Sequence, residues 1–155
     1  MQVVLLIFDS YAAVIAHHIT PTNKMDTRML RACETGNLEA AKELLRSSPS
    51  IDLHANMDQA FRIACNWGHM DLAQWIWDLA PVTDEEVLRG CFVASVTDKN
   101  GLDFAKWLKG VATDLSFEPQ MLQEALDCAQ KCECTDNVAW LIRECGAKTS
   151  VDHVL

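Results

Sequence analysis

Seven cysteines and five histidines are the residues of this chain whose types are suited to chemistry. Three of the thiols crowd into one stretch, Cys128-x3-Cys132-x-Cys134, with Cys145 and His153 beyond it. Zinc takes four sulfur or nitrogen ligands tetrahedrally, commonly from cysteine pairs separated by two residues. The spacing here makes no such knuckle. Cys128 and Cys132 stand at i, i+4 on a segment that also carries Leu126 and Ala129, which is the pattern of a buried stripe. Structural thiols are the preferred reading, and a metal- or redox-responsive site at Cys128, Cys132 and Cys134 is the alternative.

The other chemical residues assemble nothing. His17, His18, His54, His69 and His153 include no H-E-x-x-H and no convincing carboxylate pairing at helical spacing. No G-x-x-x-x-G-K-[ST], G-x-G-x-x-G or G-x-S-x-G occurs, and six glycines leave little material for a phosphate cradle. The expectation is a non-enzyme with no catalytic residue and no cofactor. A net charge of −9 with scattered basic residues argues against a nucleic-acid backbone as partner. An odd number of cysteines, with Cys33 and Cys65 on apolar helix faces, fits free thiols in a reducing compartment, so an intracellular, cytoplasmic protein is expected.

The elements that would carry these residues are short helices in pairs. In Asn56 to Leu79, Phe61, Ala64 and Cys65 recur at i, i+3 and i+4, and Met70, Ala73, Ile76 and Trp77 do so after Gly68. Gly68 supplies the positive φ at which a helix can stop and turn. Ala32-Cys33-Glu34-Thr35-Gly36-Asn37-Leu38-Glu39-Ala40-Ala41 repeats Ala64 to Ala73 at a distance of 32 residues. Gly101 to Leu108 repeats His69 to Ile76, and Val138 to Ile142 echoes it again. The alanines Ala41, Ala73, Ala105 and Ala139 mark steps of 32, 32 and 34. A period near 33 with one helix–turn–helix per unit predicts an all-α helical solenoid of about four units.

The stretch A-C-N-W-G-H-M-D-L-A-Q-W-I at Ala64 to Ile76 resembles the ankyrin pattern A-A-x-x-G-H-x-x-x-V-x-x-L, and the likeness covers roughly residues 26–147. The array is similar to the divergent ankyrin arrays of large DNA viruses and protists. It departs from the family pattern in three places. Gln59-Ala60-Phe61-Arg62 replaces the T-P-L-H opening, the third inter-helix turn has about two extra residues, and the fourth lacks the turn glycine. The resemblance implies a non-catalytic adaptor that binds a protein client on a concave face of first helices, inter-helix turns and fingers. It places partner contacts at Asp26, Glu34 and Thr35 in the first unit and at Asp58, Asn66 and Trp67 in the second. It assigns His69 to packing between units. A monomer is expected, with neither nucleic acid nor membrane as partner; an architectural fragment of a longer array is a further alternative.

The domain reading follows from this. Residues 1–25 form an apolar capping segment and linker, because Asp9 interrupts the run Gln2 to Phe8 too early for a membrane span and no basic region precedes it. Units run over about 26–55, 56–82, 83–118 and 119–147, followed by a short tail, 148–155. Asn56 with Gln59 and Thr83 with Glu86 read as helix-starting capping pairs, and Pro119 suits a first helical turn. Trp75, Trp77, Trp107 and Trp140 fall in second helices and read as packing residues, with Trp75 and Trp107 at equivalent places. Trp67 falls in the turn before Gly68, where a large exposed aromatic suits a partner contact.

Overall fold

In the computed structural model, residues 26–113 and 115–148 are described; the apolar segment 1–25 and the end of the tail lie outside them. Among the described residues the chain is all-helical, with eight helices and no strand. They are α1 (Thr27–Glu34), α2 (Leu38–Ser47), α3 (Ala55–Asn66), α4 (Met70–Leu79), α5 (Glu85–Val96), α6 (Leu102–Val111), α7 (Pro119–Lys131) and α8 (Thr135–Glu144). They pair as hairpins α1–α2, α3–α4, α5–α6 and α7–α8, and α1 packs on α3, α3 on α5 and α5 on α7.

The apolar stripes explain the order. A hairpin of two short helices cannot bury both stripes within itself, so each first helix presents its stripe to the next. Met29, Cys33, Ala60, Phe61, Ala64, Leu88, Phe92, Ala125 and Leu126 fill that row, all at 4% exposure or less. The second helices add Ala41, Leu72, Ala73, Ile76, Ala105, Leu108 and Leu141. Between α3, α4 and α6 an aromatic cluster forms: the Trp77 and Trp107 rings meet edge to face at 6.0 Å, and Phe61 and Phe104 lie 5.7 Å from Trp77 and 5.4 Å from Trp107 respectively. Edge-to-face pairs of this kind add about 0.5–1.5 kcal/mol each beyond the area they bury.

Three of the four inter-helix turns are built alike. Asn37 N donates to Ala32 O, His69 N to Ala64 O and Cys134 N to Ala129 O, each at 2.9 Å. The residue before each of these donors lies in the left-handed region: Gly36 (φ 66°), Gly68 (φ 70°) and, in the fourth hairpin, Glu133 (φ 57°). The fourth turn thus keeps the geometry without the glycine, at the steric cost a Cβ carries in that region. The third turn, Thr97 to Gly101, is five residues where the others are three. It folds back so closely that a Cβ on Gly101 would lie 2.1 Å from the Ser95 carbonyl oxygen.

Several boundaries differ from the sequence reading. The second helices start at Leu38, Met70, Leu102 and Thr135, which makes the last step 33. The place of the buried alanines Ala41, Ala73 and Ala105 therefore falls on Val138, and Val138 and Ala139 are both half-buried. Asn56 does not cap a helix: Asn56, Met57 and Asp58 form a left-handed turn (φ 54°, 58° and 54°), and the Asn56 amide donates to Gln59 Oε1 at 3.0 Å. At the start of α5 the cap is Asp84 rather than Thr83. Its carboxylate accepts from Glu86 N at 2.9 Å and Val87 N at 3.2 Å, where a charged acceptor also meets the positive helix end. Pro119 opens α7 in its first turn.

Candidate interaction surface

The inter-helix turns are tied in two pairs, the second to the first and the fourth to the third. His69 Nε2 donates to the Glu34 carbonyl at 3.0 Å, which joins the second turn to the first. Its ring lies where a Cβ on Gly36 would fall, 2.5 Å from Nδ1, so the glycine makes room for the histidine. The third and fourth turns are joined by Asn137, whose amide donates to Val96 O at 2.9 Å and Asp98 O at 2.7 Å, and by Cys134 Sγ, which donates to Thr97 O at 3.3 Å. Asn137 is 1% exposed and stands where Leu72 and Phe104 stand in earlier second helices. The longer third turn frees carbonyls that an apolar residue would leave unpaired, and the amide satisfies two of them.

Trp67 projects from this edge with 65% of its surface exposed. Thr35 of the first turn and Glu34 and Asn66, the last residues of α1 and α3, are exposed as well. Thr35 Oγ1 turns back to donate to Arg31 O at 2.9 Å. These four share the edge. The other two residues singled out in the sequence lie elsewhere. Asp26 caps α1, accepting from Arg28 N at 2.8 Å, and the Arg28 side chain holds its carboxyl down at about 2. Asp58 sits before the regular part of α3 and is only 7% exposed, so its side chain is not on the open surface. A helix of eight residues spans about 12 Å, which separates both from the turn edge.

Asp58 has a different task, and it corrects the sequence reading that found no histidine–carboxylate pairing at helical spacing: His54 and Asp58 make one. Its Oδ1 is 2.6 Å from His54 Nδ1, and its amide donates to His54 O at 3.2 Å, closing the left-handed turn. Burial pushes the Asp58 carboxyl above its ordinary value, opposed by His54 and Arg62, with Asp84 adding to the rise.

Sequence reasoning missed Asp98, Lys99 and Glu133, which are exposed on the third and fourth turns; only their turn positions pointed to them. With Arg31 and Lys131 at helix ends, the edge carries both signs of charge and so makes no single-sign field for a polyanion.

Cys33, Cys65, Cys91 and Cys134 are buried, and the Cys65 thiol meets that of Cys91 across α3 and α5. Burial raises the Cys33 thiol to about 12 and Cys145 to about 11, and pushes Cys65, Cys128 and Cys134 upward. Thiols so placed are poor nucleophiles. Cys128 and Cys132 are half-buried, and among the described residues no three His, Cys, Asp or Glu side chains are placed to hold a metal ion. His17, His18 and His153 lie outside the described residues. No helix among the described residues is long and apolar enough to cross a membrane. No family model, curated protein or solved structure matches the chain.

Proposed function

We propose that this chain is a non-catalytic protein-interaction module of the ankyrin-repeat type, a short solenoid of four helical hairpins that holds a protein client along its inter-helix turns. The observation that carries the reading is Trp67: an indole 65% exposed on the second inter-helix turn, which His69 ties by a hydrogen bond to the first. A rigid edge with a preset aromatic anchor binds at low entropic cost, because little has to be ordered on contact. Glu34, Thr35 and Asn66 flank the anchor and supply polar contacts around it.

The test is affinity capture from a cell extract with the wild type and Trp67→Ala, followed by titration of the purified client. A client held by the wild type whose affinity falls about thirty-fold for Trp67→Ala supports the reading, a loss of about 2 kcal/mol being that of an interface anchor. Equal capture by both proteins, with equal Kd, overturns it. Trp67 is largely exposed and outside the buried core, so both variants should melt at nearly the same temperature.

A further inference from the structure

On the second helices, away from the turn edge, Lys42, Leu45, Arg46, Trp75 and Leu79 line an open groove of about 300 Å³ between α2 and α4. The next interval, between α4 and α6, is its internal control. With the helices aligned on their first residues, Leu38, Met70 and Leu102, the place of Leu45 is taken by Trp77 and that of Trp75 by Trp107. There the two indoles meet edge to face at 6.0 Å. In the first interval leucine replaces one indole, and the groove stands where that ring would lie. Two other positions change with it: Lys42 and Arg46 stand where the next interval has Gln74 and Asp78. The interval that lacks an aromatic ring is thus the one that gains two cations, in a chain of net charge −9. Leu79, at 52% exposure, is among the largest exposed apolar side chains of the described residues and forms one wall.

We propose that this groove binds an acidic segment of a partner protein, with an aromatic side chain of the partner seated on Trp75 and Leu45 and neighbouring carboxylates paired with Lys42 and Arg46. The ring takes the place that Trp77 fills in the following interval, and edge-to-face contact with Trp75 gives it orientation as well as burial. Lys42 and Arg46 pair with Glu39 at 3.1 Å and Glu43 at 2.8 Å on their own helix. Such exposed i, i+3 pairs hold their partners weakly, so both cations can turn toward a bound carboxylate. The proposal is independent of the Trp67 edge, since no lining residue belongs to a turn.

The test uses fluorescence anisotropy of a labelled five-residue peptide, a central tryptophan flanked by aspartate and glutamate, against the full chain. Saturable binding with Kd below about 1 mM is expected, and it should weaken about ten-fold or more when the central tryptophan is replaced by alanine. Leu45→Trp fills the groove from within, so it should abolish binding while the melting temperature holds or rises. Lys42→Glu with Arg46→Glu should weaken binding about ten-fold at low salt. No saturation, equal binding of the alanine peptide, or binding unchanged by Leu45→Trp overturns the proposal. So does sedimentation showing a dimer that Leu45→Trp dissociates, because the occupant is then a second copy of the chain.

Discussion

The His69 ring occupies the space above Gly36, with its Nε2 donating to the Glu34 carbonyl at 3.0 Å, so a glycine in one turn and a histidine in the next form a single joint. Two constraints meet at Gly36: a φ of 66° and the ring 2.5 Å from any Cβ. Gly36→Ala should destabilise the chain by about 2–3 kcal/mol, part from the left-handed backbone and part from the clash. In the double variant Gly36→Ala/His69→Ala the clash is gone, so the combined loss in urea melts should be smaller than the sum of the single losses. Additive losses would mean that the two residues do not touch.

Glu133 tests the same geometry from the other direction. It takes the place of Gly36 and Gly68 at φ 57° with a Cβ present. Glu133→Gly should stabilise the fold by about 1 kcal/mol, and Glu133→Ala should leave it nearly unchanged, because alanine carries the same Cβ. Thermal melts of the three proteins decide it.

Asn137 is buried at a position where the earlier hairpins carry apolar residues. Asn137→Leu removes the donor from the Val96 and Asp98 carbonyls and should cost about 1–3 kcal/mol despite the apolar gain. The loss should show first as faster amide exchange in the 97–101 turn. Unchanged exchange there would mean that the turn is held without Asn137.

Asp58 gives a pH dependence with a definite sign. Burial raises its folded-state pKa above the ordinary carboxyl value, so its contribution favours folding at low pH and is lost as the pH rises through the folded value. Asp58→Asn keeps an oxygen that can accept from His54 Nδ1, removes the charge, and suits a left-handed residue. The variant should be more stable than wild type at neutral pH, and the gain should fade as the pH falls below the ordinary carboxyl value. Urea melts across that range check it; a gain independent of pH would assign the effect to the backbone alone.

Much of the helical organisation was legible from spacing. Apolar residues at i, i+3 and i+4 on either side of Gly36 and Gly68 placed α1 to α4, and Pro119 marked the start of α7. These are local facts, because a helix stripe and a glycine turn follow from the residues within one or two turns of the chain. Trp67 also stood out from its neighbours alone, being the aromatic beside the turn glycine.

What tertiary structure decided is where local preference gives way to a neighbour. Glu133 enters the left-handed region although its residue type disfavours it, in a turn whose bond between Cys134 N and Ala129 O matches those of the earlier hairpins. The left-handed run Asn56-Met57-Asp58, three residues with a cost of roughly 1–2 kcal/mol each, is accompanied by the burial of Ala55 and Asp58 and the His54 bond. In α8 it is Asn137 and Leu141 that fall at the buried places of Leu72 and Ile76, so the repeat is carried there by residues unlike their earlier counterparts as well as like them. The sequence by itself determined that the chain forms short amphipathic helices in repeating pairs, since that is written in residue period. Which residues meet across hairpins, as His69 with Glu34 and Asn137 with Asp98 do, was decided only by stacking, because residues 35 to 41 positions apart exchange bonds only once the helices lie side by side.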